Sequence, residues 1–195
     1  MDLRKLARFY DEHTLLAEHE LREYCLTCQV PLDKSYLHAV MPRLLYNLFG
    51  LTHKVLLAQY KCVAASVSFD EFCDSLQQPE IRAFFFSRYP VMRRWMDVLA
   101  MQWVQQAGEL LVRFSADKEA IGARFFGSDA KLEISAVQFG AGDAHCGGRS
   151  VARLEFANGC KLIYKPRSLR IDAHLVELVD WINLNSAADL RLPAV

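Results

Sequence analysis

Residues 140–167 read GAGDAHCGGRSVARLEFANGCKLIYKPR, and the fold turns on how this stretch is divided. Gly140, Gly142, Gly147 and Gly148 punctuate its first part, which therefore reads as a loop. Ser150 to Phe156 alternates: Ala152, Leu154 and Phe156 fall on one face of a strand, and Val151, Arg153 and Glu155 on the other. Asn158-Gly159 tolerates the positive φ that a type I′ turn needs at both central positions, which predicts a two-residue hairpin turn. Cys160 to Lys165 is then the return strand. Such a turn sets Ala157 opposite Cys160, Leu154 opposite Ile163 and Ala152 opposite Lys165. Paired residues share a face, so Ala152, Leu154, Ile163 and Lys165 are expected to line one surface, apolar except for a single ammonium.

Upstream, Lys131 to Phe139 (KLEISAVQF) alternates in its first half, with Leu132 and Ile134 facing one way and Glu133 and Ser135 the other. Downstream, Pro166 stops the ladder, and Ile171 to Leu184 follows a helical period. Ile171, Leu175, Leu178, Val179 and Ile182 form one stripe. The predicted order is strand, glycine loop, strand, hairpin, strand, helix, as in a kinase-type small lobe. Met1 to about Phe126 reads as helical, broken near Pro31-Leu32-Asp33, Ser66-Val67-Ser68, Pro79 and Tyr89-Pro90. Ser68 before Asp70-Glu71 marks a helix start, and Pro90 suits a first helical position. Trp95, Leu99, Trp103 and Leu110 repeat at nearly helical spacing and are expected in the core; Leu44 to Tyr60 is apolar around much of its circumference. The class is α+β. A helical region, residues 1–126, precedes a segment, 127–195, built from an antiparallel hairpin sheet and a helix like a kinase small lobe.

A lysine on the strand after a glycine-rich loop is one way of holding nucleotide phosphates, because loop amides and an ammonium together neutralise the anion. An apolar floor edged by Lys165 suits adenine; an ordinary hairpin whose Lys165 simply ends in water fits the same residues. Asp143 and His145 fit two roles, a loop-stabilising Asx turn with a solvated imidazole or a pair facing phosphate. Arg149 either binds loop carbonyls or faces the anion, and Arg167 is expected to bridge the hairpin to the following helix. Gly147 and Gly148 are backbone requirements, since close amide approach leaves little space for Cβ.

The run from Gly142 to Asn183, GDAHCGGRSVARLEFANGCKLIYKPRSLRIDAHLVELVDWIN, closely resembles the dehydratase region of class II lanthipeptide synthetases. These carry a GD-x-H-x-x-GR-x-V run, an aliphatic-YKPRSL run and a D…W-[LI]-N helix. A looser likeness extends upstream through RYPVMRRWMDVLAMQWVQQAGELLVRFSADKEAI, and Met1 to Ser75 is matched only by length and helical character. The resemblance implies a lantibiotic-biosynthesis enzyme that uses ATP and Mg²⁺ to phosphorylate Ser or Thr of a ribosomal precursor peptide. It then eliminates phosphate to leave dehydroalanine or dehydrobutyrine. Carried over by motif, Asp143, His145 and Lys165 are the catalytic candidates. Gly142, Gly147, Gly148, Arg149, Ala152 and Lys165 are the cofactor-binding ones.

The implied partners are the precursor peptide and the remaining dehydratase and cyclase parts of the synthetase. Zinc belongs only to a cyclase domain expected outside this chain. The chain stops where a kinase-like domain would begin the strand to its hinge, so it is expected to be a piece of a longer synthetase, inactive alone. The other reading is a non-catalytic helical module that binds a peptide or partner and carries a vestigial nucleotide loop.

Positive and negative charges cancel, 23 against 23, which gives no reason to expect nucleic acid or an anionic membrane as partner. The charged start MDLRKLARFYDEH lacks an apolar signal core, and no run reaches the ~20 apolar residues of a spanning helix. A cytoplasmic location is expected. The six cysteines, at 25, 28, 62, 73, 146 and 160, then read as reduced thiols. Cys25 and Cys28 have zinc or redox spacing, but without a second pair they read as part of a helical segment, and no metal ligand is assigned.

Overall fold

The computed structural model describes residues 2–127, 131–142, 147–186 and 192–193. The chain forms two compact units, Met1–Tyr164 and Lys165–Val195.

The first unit opens with a 3₁₀ helix, Leu3–Tyr10, followed by α1 (Asp11–Thr27), α2 (Lys34–Val63), α3 (Phe69–Ser75), α4 (Pro79–Arg88) and α5 (Pro90–Ile121). The breaks fall where local chemistry puts them. Asp33 caps α2 by accepting from the Tyr36 amide at 2.6 Å. Ser68 and Glu71 form a reciprocal capping box at the start of α3, and α4 and α5 each begin on a proline, which lacks an amide the first turn would leave unpaired. A π-helical turn, Gly122–Phe126, closes the helical part.

The core lies where α2 and α5 meet the other elements. Leu44, Leu48, Thr52 and Leu56 form the fully buried face of α2, each 0% exposed. Buried polar groups there are paired: Tyr36 Oη donates to the Ala107 carbonyl at 2.7 Å, and Trp103 Nε1 donates to the Val40 carbonyl at 2.9 Å. Tyr10 Oη and Thr52 Oγ1 lie 2.6 Å apart, and burial pushes the Tyr10 phenol up to about 12. Gly108 lets α1 close on α5, since a Cβ there would meet the Tyr24 ring at 2.4 Å. Of the expected aromatic stripe, Trp103 and Leu110 are buried and Leu99 packs against the core, but Trp95 is 47% exposed and lies off the buried face.

Three antiparallel strands follow in the order β1 (Ile134–Phe139), β2 (Ala152–Phe156), β3 (Lys161–Tyr164). The register of β1 against β2 shifts between Ile134 and Ala136. One extra residue there re-phases the strand, so Ile134 before it and Val137 and Phe139 after it share a face; this is why regular alternation runs only through the first half. Phe156 of β2 stacks on Phe114 of α5 with ring centroids 5.6 Å apart, which seats the Ala152, Leu154, Phe156 face against the helices.

The hairpin corrects the expected register by one residue. Gly159 N donates to the Phe156 carbonyl at 2.8 Å and Phe156 N to the Cys160 carbonyl at 2.9 Å, so Ala157, Asn158 and Gly159 form a three-residue loop. Only Gly159 is at positive φ, +82°, and the Asn158 carboxamide accepts from the Cys160 amide at 3.0 Å. This is a type I turn followed by a left-handed glycine. Ala152 consequently pairs with Tyr164 and not Lys165, and Leu154 with Leu162 and not Ile163. Ile163 falls on the other face with Arg153, 53% exposed, so the expected apolar surface joining Ala152, Leu154, Ile163 and Lys165 is not formed.

The second unit carries α6 (Arg170–Asn185). Of its expected stripe only Val179 is buried; Ile171 is 79% and Leu178 52% exposed. Arg167 pairs with Asp172 in the first turn of α6 at 3.1 Å. The Asn183 carboxamide exchanges two hydrogen bonds with the Leu192 backbone, at 3.0 and 2.8 Å. Among the described residues no helix is long and apolar enough to cross a membrane.

Candidate functional site

The loop between β1 and β2 is closed at its root by two hydrogen bonds. Gly140 N donates to Ser150 Oγ at 2.9 Å and Ala141 N to the Val151 carbonyl at 3.1 Å. Gly140, Gly147 and Gly148 sit at φ of +79°, +77° and +85°, a region that side chains rarely enter. Gly148 is also tight: a Cβ would lie 2.8 Å from Gln102 Oε1, and the Gly148 carbonyl accepts a hydrogen bond from Gln106 Nε2.

Arg149 leaves the loop toward α5, where its guanidinium forks onto the Glu109 carboxylate, Nε reaching Oε2 at 3.1 Å and Nη2 reaching Oε1. Such a bidentate pair fixes direction as well as distance. The hydrogen bond from Arg149 holds the Glu109 carboxyl below its ordinary value despite partial burial. Farther along α5, Arg113 lies 3.4 Å from Glu109 and donates to Tyr164 Oη at 2.5 Å, its guanidinium 5.9 Å from the Tyr164 ring centroid. Burial raises the Tyr164 phenol, against the opposing pull of Arg113.

Gln102, Gln106, Glu109 and Arg113 are thus one polar stripe at i, i+4, i+7 and i+11 of α5. It touches the glycine loop at Gly148 and Arg149 and the hairpin at Tyr164. The sequence reading missed these residues; their signal is a polar row along a helix read for its aromatic row.

Arg43 of α2 was also missed. A Cβ on Gly140 would lie 2.9 Å from Arg43 Nη1 and 3.1 Å from Nη2, so the guanidinium lies against the loop root. Its centre is 5.8 Å from the Tyr46 ring, and among the described residues it has no hydrogen-bond or carboxylate partner. Arg43 is half-buried.

Of the residues expected to carry chemistry, Asp143 and His145 lie outside the described residues. Gly142 and Gly147 flank the loop and are exposed; a Cβ at Gly142 would make only ordinary contact, 3.6 Å from Val151 Cγ2, and one at Gly147 would meet nothing within 4 Å. Ala152 is 0% exposed, beneath the sheet. Lys165, the first residue of the second unit, is exposed. Cys25 is buried in the core and Cys28 exposed at the end of α1.

Residues 89–195, more than half of the chain, match the family model described as "Domain of unknown function (DUF4135)". The chain belongs to the DUF4135 family. No curated protein matches it. The DUF4135 segment takes in α5, the sheet, the glycine loop and α6, so the α5 stripe and the loop it holds both lie inside the family domain. Arg43 and α1 to α4 lie upstream of it.

Proposed function

We propose that this chain is part of a lanthipeptide synthetase dehydratase, which phosphorylates Ser or Thr of a precursor peptide and eliminates the phosphate. The observation that carries this reading is one arrangement: positive-φ glycines flank the Asp143–Cys146 run, and Arg149 is held by a two-point ion pair at its exit. The match to DUF4135 over the same residues supports it, as does the resemblance of GD-x-H-x-x-GR and YKPRSL to that enzyme class. A loop that reverses through glycines presents amides to an anion without Cβ in the way, and Gly147 and Gly148 have the backbone for it.

ATP with Mg²⁺, when bound, supplies the phosphoryl group. The chain's own residues bind and place it. Gly147 and Gly148 give close approach, and the Glu109 fork keeps the Arg149 guanidinium from swinging away. Lys165, exposed after β3, is the ammonium offered to neutralise phosphate charge. Ala152 serves from behind as packing beneath the sheet. In the first step the substrate hydroxyl loses its proton as its oxygen bonds the γ-phosphorus, while the bond from that phosphorus to the bridging oxygen breaks and ADP leaves with the electron pair. In the second, the Cα proton leaves, the Cβ–O bond breaks and inorganic phosphate departs with its electron pair, leaving the alkene. Asp143 and His145 are the groups offered for these two proton transfers. Phosphate leaves far more readily than hydroxide, which is why the first step makes the second feasible.

The test is Lys165→Met in the complete gene product, incubated with precursor peptide, ATP and Mg²⁺ and followed by mass spectrometry. Dehydration is expected to stop while precursor binding is retained; unchanged dehydration counts against Lys165. A wild-type protein that binds precursor yet neither phosphorylates nor dehydrates it would instead establish the non-catalytic helical module.

A further inference from the structure

Helices α1 and α5 touch at two levels. His13 Nε2 lies 3.3 Å from Asp97 Oδ1, and the Tyr24 ring lies against Gly108, where a Cβ would meet it at 2.4 Å. The two contacts are 11 residues apart on both helices, so the helices run parallel. At a rise of ~1.5 Å per residue the levels are about 16 Å apart. Between them the pair leaves a groove of about 310 Å³. Ala17 and Ala100 put short side chains into its lining, which leaves the depression open, while Leu16 of α1 and Met101 of α5, 57% and 65% exposed, add apolar surface from either helix. Single exposed apolar residues are ordinary, but here one from each helix lines the same concave surface. The groove residues of α5 centre about 160° around the helix from the stripe that holds the glycine loop, so this surface is separate from the site described above.

The charge of the groove is negative. Asp97 stands level with His13, and Glu20 stands two turns further on, level with Val104, about 10 Å along the axis. Among the described residues no lysine or arginine lines it: Arg22 is engaged with Glu18, Arg93 lies over the Phe86 ring at 5.3 Å, and Arg94 precedes Asp97 by a turn. Burial lowers His13, against the pull of Asp97 and Glu12, so at neutral pH the imidazole is uncharged and the Asp97 charge is left in place. Both carboxylates are exposed, which suits them to steering and aligning a partner.

We propose that the α1–α5 groove docks a helical segment of a partner protein that carries basic residues at i and i+7 with apolar residues between them at i+3 and i+4. That spacing puts all four on one helix face, and two turns match the separation of Asp97 and Glu20. A trough between two helices takes such an apolar stripe, with Leu16 and Met101 against it and methionine adapting to its shape. The inference does not rest on the dehydratase reading. One wall, α1, lies upstream of the family domain and the other, α5, within it, so the surface exists only where the two regions pack.

The experiment uses the 195-residue chain and a fluorescein-labelled, alanine- and glutamine-based helical peptide with Lys at i and i+7 and Leu at i+3 and i+4. Binding is followed by anisotropy and by the Met101 methyl resonance. Three further probes are the same peptide with Glu for both Lys, the peptide with its second Lys moved to i+5, and hexylammonium. The first peptide is expected to bind, to shift the Met101 methyl, and to weaken as salt screens its charges. Leu16→Ser and Met101→Ser are each expected to weaken binding about tenfold, and Glu20→Lys about fivefold while improving binding of the Glu peptide. Two control variants should bind as wild type: Leu15→Ser, a leucine of the same helix that is 67% exposed but outside the groove, and Glu119→Lys, the same charge change near the far end of α5. All five side chains are exposed, so urea midpoints should stay at the wild-type value and lost binding is not lost folding.

The proposal is overturned by an unmoved Met101 methyl, by a Glu or i+5 peptide that binds as tightly as the first, or by groove variants that bind no differently from Leu15→Ser and Glu119→Lys. Hexylammonium binding as tightly as the peptide would overturn it in favour of a small cationic amphiphile. Sedimentation showing a wild-type dimer that Met101→Ser dissociates would overturn it in favour of a second copy of the chain. None of these outcomes touches the Lys165 test, so the two readings fail separately.

Discussion

The sheet has two connections, and both turn on a left-handed glycine, yet they are held by different means. The β2–β3 loop is closed by its own backbone and by Asn158, within residues 156–160. The β1–β2 connection closes its root locally, through Ser150 and Val151, but its exit is fixed by residues about 40 positions away on α5, namely Gln102, Gln106 and Glu109. The short turn is thus a property of its own sequence. The long loop is a property of the fold, and loosening α5 contacts would release it without unfolding the sheet.

The strongest way to break this contrast is Gly148→Val. It places a β-branched residue at φ +85° and drives Cβ into Gln102 and Gln106, so a loss of about 3 kcal/mol is expected in urea unfolding. A loss below that of Gly159→Ala would show that α5 does not constrain the loop. Glu109→Ala comes next. It removes the two-point fork to Arg149, and because the pair is partly exposed, 15% and 32%, about 1 kcal/mol is expected. Hydrogen exchange should quicken at residues 147–149 and stay unchanged at 158–160; equal change at both would erase the distinction.

Gly159→Ala is expected to cost about 1 kcal/mol, from backbone strain alone, since a Cβ there meets nothing within 4 Å. Asn at this position should restore most of it, as asparagine tolerates left-handed backbone.

Acid sharpens the comparison with the smallest effect. The Glu109 carboxyl is held below its ordinary value of 4.5, so its contribution is full above that value and is lost as pH falls through the lower folded-state value. Amide exchange at residues 147–149, corrected for the intrinsic pH dependence, should report that loss, with no matching change at the β2–β3 turn.

The same contrast explains what could be read in advance. The breaks at Asp33, Ser68, Pro79 and Pro90 were legible because a cap or a missing amide acts within a turn of its own residue. The order of strands and the class followed from alternation and the Asn-Gly pair. The register did not, because Asn158-Gly159 serves both a two-residue turn and a three-residue loop with one left-handed glycine, and the choice between them shifts every pair by one. The extra residue near Ser135 was hidden for a related reason, since it shows only against a partner strand. At the site, the glycines announced themselves, whereas Arg43 and Glu109 gave no local sign. Their meaning arises from α2 and α5 reaching the loop from far upstream.

The α5 stripe sets a rule for how this protein can vary. Its four members hold the loop and the hairpin only because their spacing returns to one side of the helix. An inserted or deleted residue between Gln102 and Glu109 would rotate everything beyond it by about 100°. Glu109 and Arg113 would then leave Arg149 and Tyr164 together, and Leu110 would leave the core with them. This stretch of α5 can accept changes of residue type far more readily than a change of length, and homologous chains should align through it without gaps.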